Sequence, residues 1–423
     1  MNNKYRQGGT GYLIKIAYRN IWRNKRRTGF VLMAIGISAF FFLIFMSMQD
    51  GIIRSMNDTV QVYEPGHIKV VSVQYEAENE NMPVQYPVED GKNWKEIADS
   101  IRRISGVRAV FPRITALATL QESTVKHAIL WGIDIEAETA LNHLNFANRD
   151  NGLVQGRYPA PEANECAIGT VFARKAGLSI GDRIPFKTLS AQFSDRIWSP
   201  IITGIFNFDY HKYDENVIIA DFRRTQRLLT LYEGTQKLVI FVNDETESKF
   251  IAGQVQNILG KDSAVTDWND NYWIAIQKTI DIVYMGAYLA FLIVASFMII
   301  NTVTMIIHER IKEIGMMGCL GMTRAEIVKV FFFESLFLAA IGALFGVIAG
   351  GVLSGILSNF PIRLGDMYGN TLSEAPVSGT VFFRLSFVRI IQAWLIGVVI
   401  ASIFTLIPSL KSAFVESVEA LRK

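Results

Sequence analysis

Four apolar runs free of Asp, Glu, Lys and Arg constrain this chain more than any other feature. They are residues 29–48 (GFVLMAIGISAFFFLIFMSM), 282–307 (IVYMGAYLAFLIVASFMIINTVTMII), 335–360 and 390–410. About 20 residues of helix cross roughly 30 Å of hydrocarbon, so each run is long enough to span a bilayer. One soluble core has no room for four such helices. With their flanks, the expected transmembrane helices are 29–50, 276–307, 328–358 and 388–410. The expected fold is therefore an α-helical membrane protein with four transmembrane helices. A large α+β extracytoplasmic domain, 51–275, is inserted between helices 1 and 2.

Charge sets the orientation. Residues 1–28 carry Lys4, Arg6, Lys15, Arg19, Arg23, Lys25, Arg26 and Arg27 and no acidic residue, whereas 50–281 carry 24 Lys and Arg against 31 Asp and Glu. The positive-inside bias places the N-terminus in the cytoplasm, and four crossings return the tail, 411–423, to the same side. The first apolar run has no small-residue cleavage site after it, so it reads as a retained anchor. Leu13, Ile14, Ala17, Ile21 and Trp22 share one helical face ahead of it, which predicts an amphipathic helix along the inner leaflet. Anionic phospholipid, not nucleic acid, suits the basic residues beside a span. Cys166 and Cys319 fall on opposite sides of the membrane in this topology and do not pair.

The inserted domain alternates strand and helix patterns. HIKVVSV, NWKEIADSIRRI and VRAVFPRI read as strand, helix, strand, and KLVIFV, ESKFIAGQVQNIL and AVTDW repeat that order. The pattern predicts an outer α+β subdomain built from 51–115 and 217–270, with a β-rich subdomain, 116–216, between its halves. Within the latter, 187–199 (KTLSAQFSDRIWS) lies between two strand-like pieces and is expected to project. Phe193, Ile197 and Trp198 in it are costly to leave in water unless they meet the domain or a partner. No phosphate-binding glycine loop is present, and His67, His127, His143, His211 and His308 lack metal-ligand spacing. An enzyme is not indicated.

The spans hold few ionisable groups. Glu334 is one, at a depth that suits the interface or a protein-facing position. Gly342, Gly346 and Gly350 recur every four residues and predict a smooth face for close helix packing. An alternating-access carrier would show more spans and inverted repeats. Between the second and third runs lies HERIKEIGMMGCLGMTRAEIVKV, 308–330, charged and helical in pattern. The segment 308–327 reads as a cytoplasmic coupling helix that docks into a soluble motor. Ile311, Ile314, Met316 and Met317 supply contact area, Arg310, Lys312 and Glu313 orientation, and Gly318 and Gly321 the turn.

Three stretches carry a resemblance over nearly the whole chain: AYRNIWRNKRRT before the first run, RIKEIGMMGCLGMTRAEIVKVFFFES, and IPSLKSAFVESVEALRK at the end. The chain resembles the four-span ABC transporter permeases of the macrolide-exporter and cell-division type. WGID, NGLVQGR and IGTVFARKAGLSIGDRIPF make it most similar to the transmembrane subunit of lipoprotein-releasing systems. The resemblance implies a bacterial inner-membrane subunit without its own catalytic site or bound cofactor. ATP and Mg would be used by a partner ABC ATPase dimer, with a second permease, identical or homologous, completing the complex. The implied activity is extraction of lipoproteins from the outer leaflet towards a periplasmic carrier or adaptor. Two alternatives stay open: a tripartite exporter of drugs, peptides or other amphiphiles, and a non-transporting mechanotransmission permease. The resemblance also places a substrate groove between spans one and two, with Phe41, Phe42, Phe45, Met48, Tyr284, Met285 and Tyr288 as its walls. A carrier-binding hook falls at 187–199, with Phe193, Arg196, Ile197 and Trp198, although a proline-bearing tip is missing. The loop 359–387 joins spans three and four outside.

Overall fold

The computed structural model describes residues 10–23, 25–63, 66–78, 82–88, 93–120, 124–141, 152–272, 274–279, 322–360, 362–363 and 380–413, with isolated positions between 282 and 317. In chain order the helices are α1 (Thr10–Arg23), α2 (Lys25–Tyr63), α3 (Val73–Ala77), α4 (Trp94–Arg102), α5 (Ile135–Ala140), α6 (Thr170–Ala176), α7 (His211–Asn216), α8 (Phe222–Leu228), α9 (Ser248–Leu259), α10 (Arg324–Leu357) and α11 (Phe387–Ala413). The strands are β1 (Ile68–Ser72), β2 (Val107–Leu120), β3 (His127–Ile133), β4 (Leu153–Gly156), β5 (Glu165–Gly169), β6 (Phe186–Leu189), β7 (Asp195–Trp198), β8 (Ile201–Phe206), β9 (Val217–Asp221), β10 (Lys237–Val242), β11 (Ser263–Asp267), β12 (Ile362–Arg363) and β13 (Thr380–Val381). Two units divide the chain: Met1–Ile52 with Thr279–Pro361 and Phe382–Lys423, and Ile53–Lys278 with Ile362–Val381.

Among the described residues, three helical stretches are long and apolar enough to cross a membrane: Thr28–Tyr63, Arg324–Leu357 and Phe387–Phe404. The expected second span, 276–307, lies mostly outside the described residues. The first helix runs past residue 50, where the apolar run ends, to Tyr63. Its extension is polar on one side and carries an Arg54–Asp58 pair at i,i+4 spacing, 2.8 Å, of the kind that supports an exposed helix.

In the first unit α2, α10 and α11 pack through Val31, Ile35, Ala39, Phe42 and Leu43, Leu338, Ala339, Ala343 and Val347, and Ala393 and Ala401. Gly342, Gly346 and Gly350 all face α2, and a Cβ built on Gly346 would lie 2.2 Å from the Gly36 carbonyl oxygen. The backbones meet there because neither residue carries a side chain. Thr323 and Glu326 form a reciprocal cap at the start of α10, the Thr hydroxyl accepting from Glu326 N and the Glu carboxylate from Thr323 N. Glu334 is buried within the unit. The apolar face of α1 differs from its expected setting. Leu13, Ala17 and Ile21 are buried by protein, Ile21 beside Ile327 and Phe331, and Tyr18 meets Phe337 edge-on at 6.1 Å. The face expected to lie on lipid is covered by α10, which leaves Tyr12, Lys15 and Arg19 outward.

In the second unit eleven strands make one sheet, in the order β11-β1-β10-β2-β3-β9-β5-β8-β4, with β6 joining β2 and β7 joining β6. The 14-residue β2 is the seam: its first half pairs with β10 and its second half with β6, while β3 runs alongside. Two apolar cores follow. One gathers Ile68, Val70, Ile97, Ile101, Leu238, Ile240, Ile251 and Val255, and the other Ile114, Leu130, Ile168, Phe172, Phe186, Ile202 and Ile218. Ile97, Ala98 and Ile101 form the buried stripe of α4, whose N-terminus is capped by the Asn93 side chain on Lys95 N. Although its sequence position groups it with the outer subdomain, β9 sits in the inserted half, between β3 and β5. It is short and buried at all five positions, as a central strand with both faces covered must be.

Candidate functional site

Two places in the structure collect the side chains that the sequence singles out. The first is the β6–β7 hairpin of the second unit. Phe186 pairs with Trp198 and Leu189 with Asp195. Between them Ser190 N donates to Ser194 O at 3.0 Å, and the two hydroxyls lie 2.8 Å apart. Phe193 occupies the turn at φ +56, a left-handed conformation that costs a bulky residue about 1 kcal/mol or more. Phe193 is 68% exposed and Ile197 77%. Trp198 is only 4% exposed: it packs edge-on against Phe186, donates through Nε1 to Asn164 Oδ1, and lies under the Arg224 guanidinium at 5.7 Å. Trp198 thus anchors the hairpin and is not part of the surface that it presents. Arg196 reaches Thr230 Oγ1 at 3.3 Å, and Lys187 pairs with Asp195 at 2.7 Å.

Beyond this root, β7 has no second neighbour among the described strands, so its outer edge is free to pair. The surface is also wider than the sequence reading. Leu117 and Leu189, next to the Ala118–Thr188 pair, and Tyr232, whose hydroxyl accepts from Gln192 Nε2 at 3.1 Å, are all exposed. The signal for Leu189 was present in the alternation of Phe186, Lys187, Thr188 and Leu189, which buries the first and third. Tyr232 comes from a distant turn and gave none.

The second place is the outer half of α2. Phe41 is 56% exposed and Phe42 3%, so adjacent aromatics point to opposite sides. Phe42 belongs to the core against α10, while Phe45 packs on that core from its edge and Met48 is half-buried. Phe30, Met33, Ile37 and Phe41 continue one exposed apolar stripe along the helix. At its upper end Arg389 clasps Asp50, Nε to Oδ2 at 2.9 Å and Nη2 to Oδ1 at 2.7 Å, and Arg384 N donates to the Ser47 carbonyl at 3.0 Å. These contacts fix α11 to α2 beside Met48. Tyr284, Met285 and Tyr288 lie outside the described residues, as do Arg310, Ile311, Glu313, Ile314, Gly318 and Gly321 of the coupling segment. Of that segment Met316, which is exposed, Met317 and residues 322–327 are described. Met317 packs against the bundle core, and its carbonyl accepts from Met322 N at 3.1 Å.

A third concavity, about 710 Å³, is lined by Trp94, Tyr158, Phe222, Glu162, Arg223 and Arg227 among others. Several of its charges are paired within it: Glu162 is held by Arg227 and Arg223, which keep its carboxyl below the usual range, and Asn93 donates to Glu233 at 2.9 Å. Among the described residues no group of three or more His, Cys, Asp or Glu could hold a metal ion.

A family profile described as FtsX-like permease C-terminal matches residues 285–416. The chain is 22% identical to the lipoprotein-releasing system transmembrane protein LolC of Xylella fastidiosa, over 95% of this chain and 96% of that protein. It is 20% identical to the corresponding LolE of Haemophilus influenzae, over 92% of each. Against the macrolide export ATP-binding/permease protein MacB of Campylobacter jejuni it is 24% identical over 60% of this chain and 38% of that protein. The C-terminal third of the chain thus matches an FtsX-like permease family, and the chain as a whole is similar to ABC-transporter permeases. The three apolar helices support a multi-pass membrane topology, and the eleven-stranded sheet with its helices makes a mixed α/β extracytoplasmic domain. The MacB protein is, by its name, both ATP-binding and permease.

Proposed function

We propose that this permease extracts lipoproteins from the outer leaflet of the inner membrane, driven by a separate ATPase, and passes them to a periplasmic carrier. The observation that carries the reading is similarity to lipoprotein-releasing transmembrane proteins along almost the entire length of both chains. The structure adds two features suited to the task. The exposed Phe41 with half-buried Phe45 and Met48 offers acyl chains an apolar wall that adapts without demanding polar partners. The hairpin presents Phe193 and Ile197 and a free strand edge, on which a carrier's strand could pair. In this reading the N- and C-termini are cytoplasmic, 308–327 docks on the ATPase, and Ile314 and Met317 are its apolar contacts.

Photo-crosslinking in membranes containing the ATPase tests the assignment. A crosslinker at Phe41, Phe45 or Met48 should capture a lipoprotein before ATP is added and lose it afterwards. Capture of phospholipid alone, with ATP hydrolysis still coupled, overturns it. The similarity to a macrolide export protein over 60% of the chain favours the second reading, a permease exporting other amphiphiles. ATP-sensitive capture of such a molecule at the same positions would support that instead.

A further inference from the structure

The segment Asn207–Asp214, a loop that runs into the first turn of α7, gathers more chain than its length suggests. Asp214 is buried and accepts the backbone N–H of Phe208 at 2.7 Å, while the N–H groups of Asp209 and Tyr210 turn towards the same carboxyl. A side chain towards which successive N–H groups turn winds the backbone around itself, and Asp209 is left at φ +57, with its own N–H on Asn207 Oδ1 at 3.0 Å. The Asp209 carboxylate is thereby aimed away from Asp214. Its Oδ2 accepts Thr380 N at 2.9 Å and also the Thr380 hydroxyl.

Thr380 opens β13, which pairs with β12, Ile362 opposite Val381 and Arg363 opposite Thr380. These two strands stand between α10, which ends at Leu357, and α11, which begins at Phe387. The same loop also holds the end of α2. Tyr213 Oη donates to the Tyr63 carbonyl at 2.6 Å, Tyr63 Oη donates to the Phe208 carbonyl at 3.4 Å, and the Tyr63 and Phe208 rings stack at 5.0 Å. One eight-residue segment therefore binds the last residue of α2 and the segment joining α10 to α11.

We propose that Asp209 is a strap point, tying the α10–α11 connection to the extracytoplasmic domain, and that Asp214 is the positioning residue that shapes the loop to hold it. The strap moves the end of α2 and the α10–α11 connection together during an ATP-driven cycle. This role rests on the permease reading above but not on which cargo is carried. Exposed polar loops ordinarily bond to water, and a carboxylate that takes both the N–H and the hydroxyl of one threonine specifies a partner. Facing Asp214 from the surrounding elements are Tyr63 on α2, Tyr158, Tyr213 on α7, and Asp209.

Amide hydrogen exchange on the full chain in nanodiscs with its ATPase tests the strap directly. In D209A, protection of the Thr380 N–H should fall about tenfold or more, the loss expected when a hydrogen bond to a charged acceptor is removed. D214L should release the same amide, because the loop loses its acceptor, whereas D214N, which keeps Oδ1, should restore most of the protection. Wild-type protection of Thr380 in D209A, or equal loss in D214N and D214L, overturns the proposal. The second measurement is cargo-independent: ATP hydrolysis by the reconstituted complex. D209A should uncouple it, changing the rate about threefold or more while the subunits stay associated. If Thr380 is released and hydrolysis is unchanged, the transmission role falls. A wild-type complex that handles another amphiphile changes the cargo assignment and leaves both results intact.

Discussion

Arg113 and Glu138 form a two-pronged ion pair sealed from solvent, with Nε to Oε1 at 2.8 Å and Nη2 to Oε2 at 2.7 Å. The third arm, Nη1, donates to the Val62 carbonyl at 2.9 Å, near the end of α2, and the guanidinium lies 4.9 Å from the Trp131 ring. Removing one partner leaves an uncompensated buried charge. E138A should therefore destabilise the domain by about 3 to 5 kcal/mol, whereas R113M/E138L, similar in volume and uncharged, should cost far less. Urea unfolding of the full chain in detergent, followed by near-UV circular dichroism, separates the two. Equal losses would show that the pair acts only through packing.

The helix crossing at Gly346 predicts a graded series. A methyl at Gly346 meets the Gly36 carbonyl at 2.2 Å, at Gly351 only the Leu43 side chain at 3.9 Å, and at Gly355 nothing within 4 Å. G346A should lower stability by about 1 to 3 kcal/mol, as overpacking does, while G351A and G355A stay near wild type. Thermal unfolding in detergent reads the order. G355A as damaging as G346A would contradict the packing argument.

Hairpin variants should divide sharply. F193S and I197S touch exposed side chains, so stability should change by no more than about 0.5 kcal/mol, while carrier binding is lost. W198A removes a buried anchor and should cost about 3 kcal/mol or more. Calorimetry for stability and pull-down with a periplasmic carrier distinguish these. Carrier binding that survives F193S/I197S would move the carrier site elsewhere.

Asp214 predicts a pH dependence with a definite sign. Burial, opposed in part by the three backbone N–H groups and reinforced by Asp209, raises its carboxyl from the usual range to about 8. Between about pH 4 and pH 8 the folded state holds a proton that the unfolded state has released, so this contribution to stability is full below that window and falls as pH rises through it. The slope is at most about 1.4 kcal/mol per pH unit. In D214N that component should vanish. A wild-type profile that rises across the window, or a D214N profile with the same fall, would exclude the assignment.

Cys166 lies on β5 with no exposed surface, and burial pushes its thiol up, so it is both inaccessible and protonated. An impermeant maleimide should leave it unlabelled in intact cells until the domain unfolds. Rapid labelling of folded protein would falsify the sheet assignment around β5.

Three of the four expected spans, the hairpin and the close helix packing at the glycine stripe were legible because each is a local pattern: apolar length, strand–turn–strand chemistry, and small residues at i,i+4. What stayed hidden depends on partners distant in sequence. Nothing near Phe42 tells it from Phe41, since only the position of α10 decides which of them is buried. Trp198 resembles an exposed hook residue until Phe186 and Asn164 close around it. The pairing of Arg113 with Glu138 and of Asp209 with Thr380 has no spacing signature. Likewise β9 was grouped by its position in the chain, although a parallel crossover from β3 sets its neighbours.

The strand order also sets a timetable for biosynthesis. Emerging early, β1 has neighbours among the described strands only in β10 and β11, with Ile68 opposite both Ile240 and Asp267. At about 5–20 residues per second, it waits on the order of ten seconds or more for them to be made. Meanwhile β3 to β9, whose pairings lie among themselves and with the far half of β2, are already complete outside the membrane. The inserted half can therefore condense first and hold β2 in place as a template. The late strands then close the outer half over β1, bringing Trp268 and Ile274 against Val60. During that interval the bare edges of β1 and β2 are the part of the nascent chain most in need of protection from aggregation.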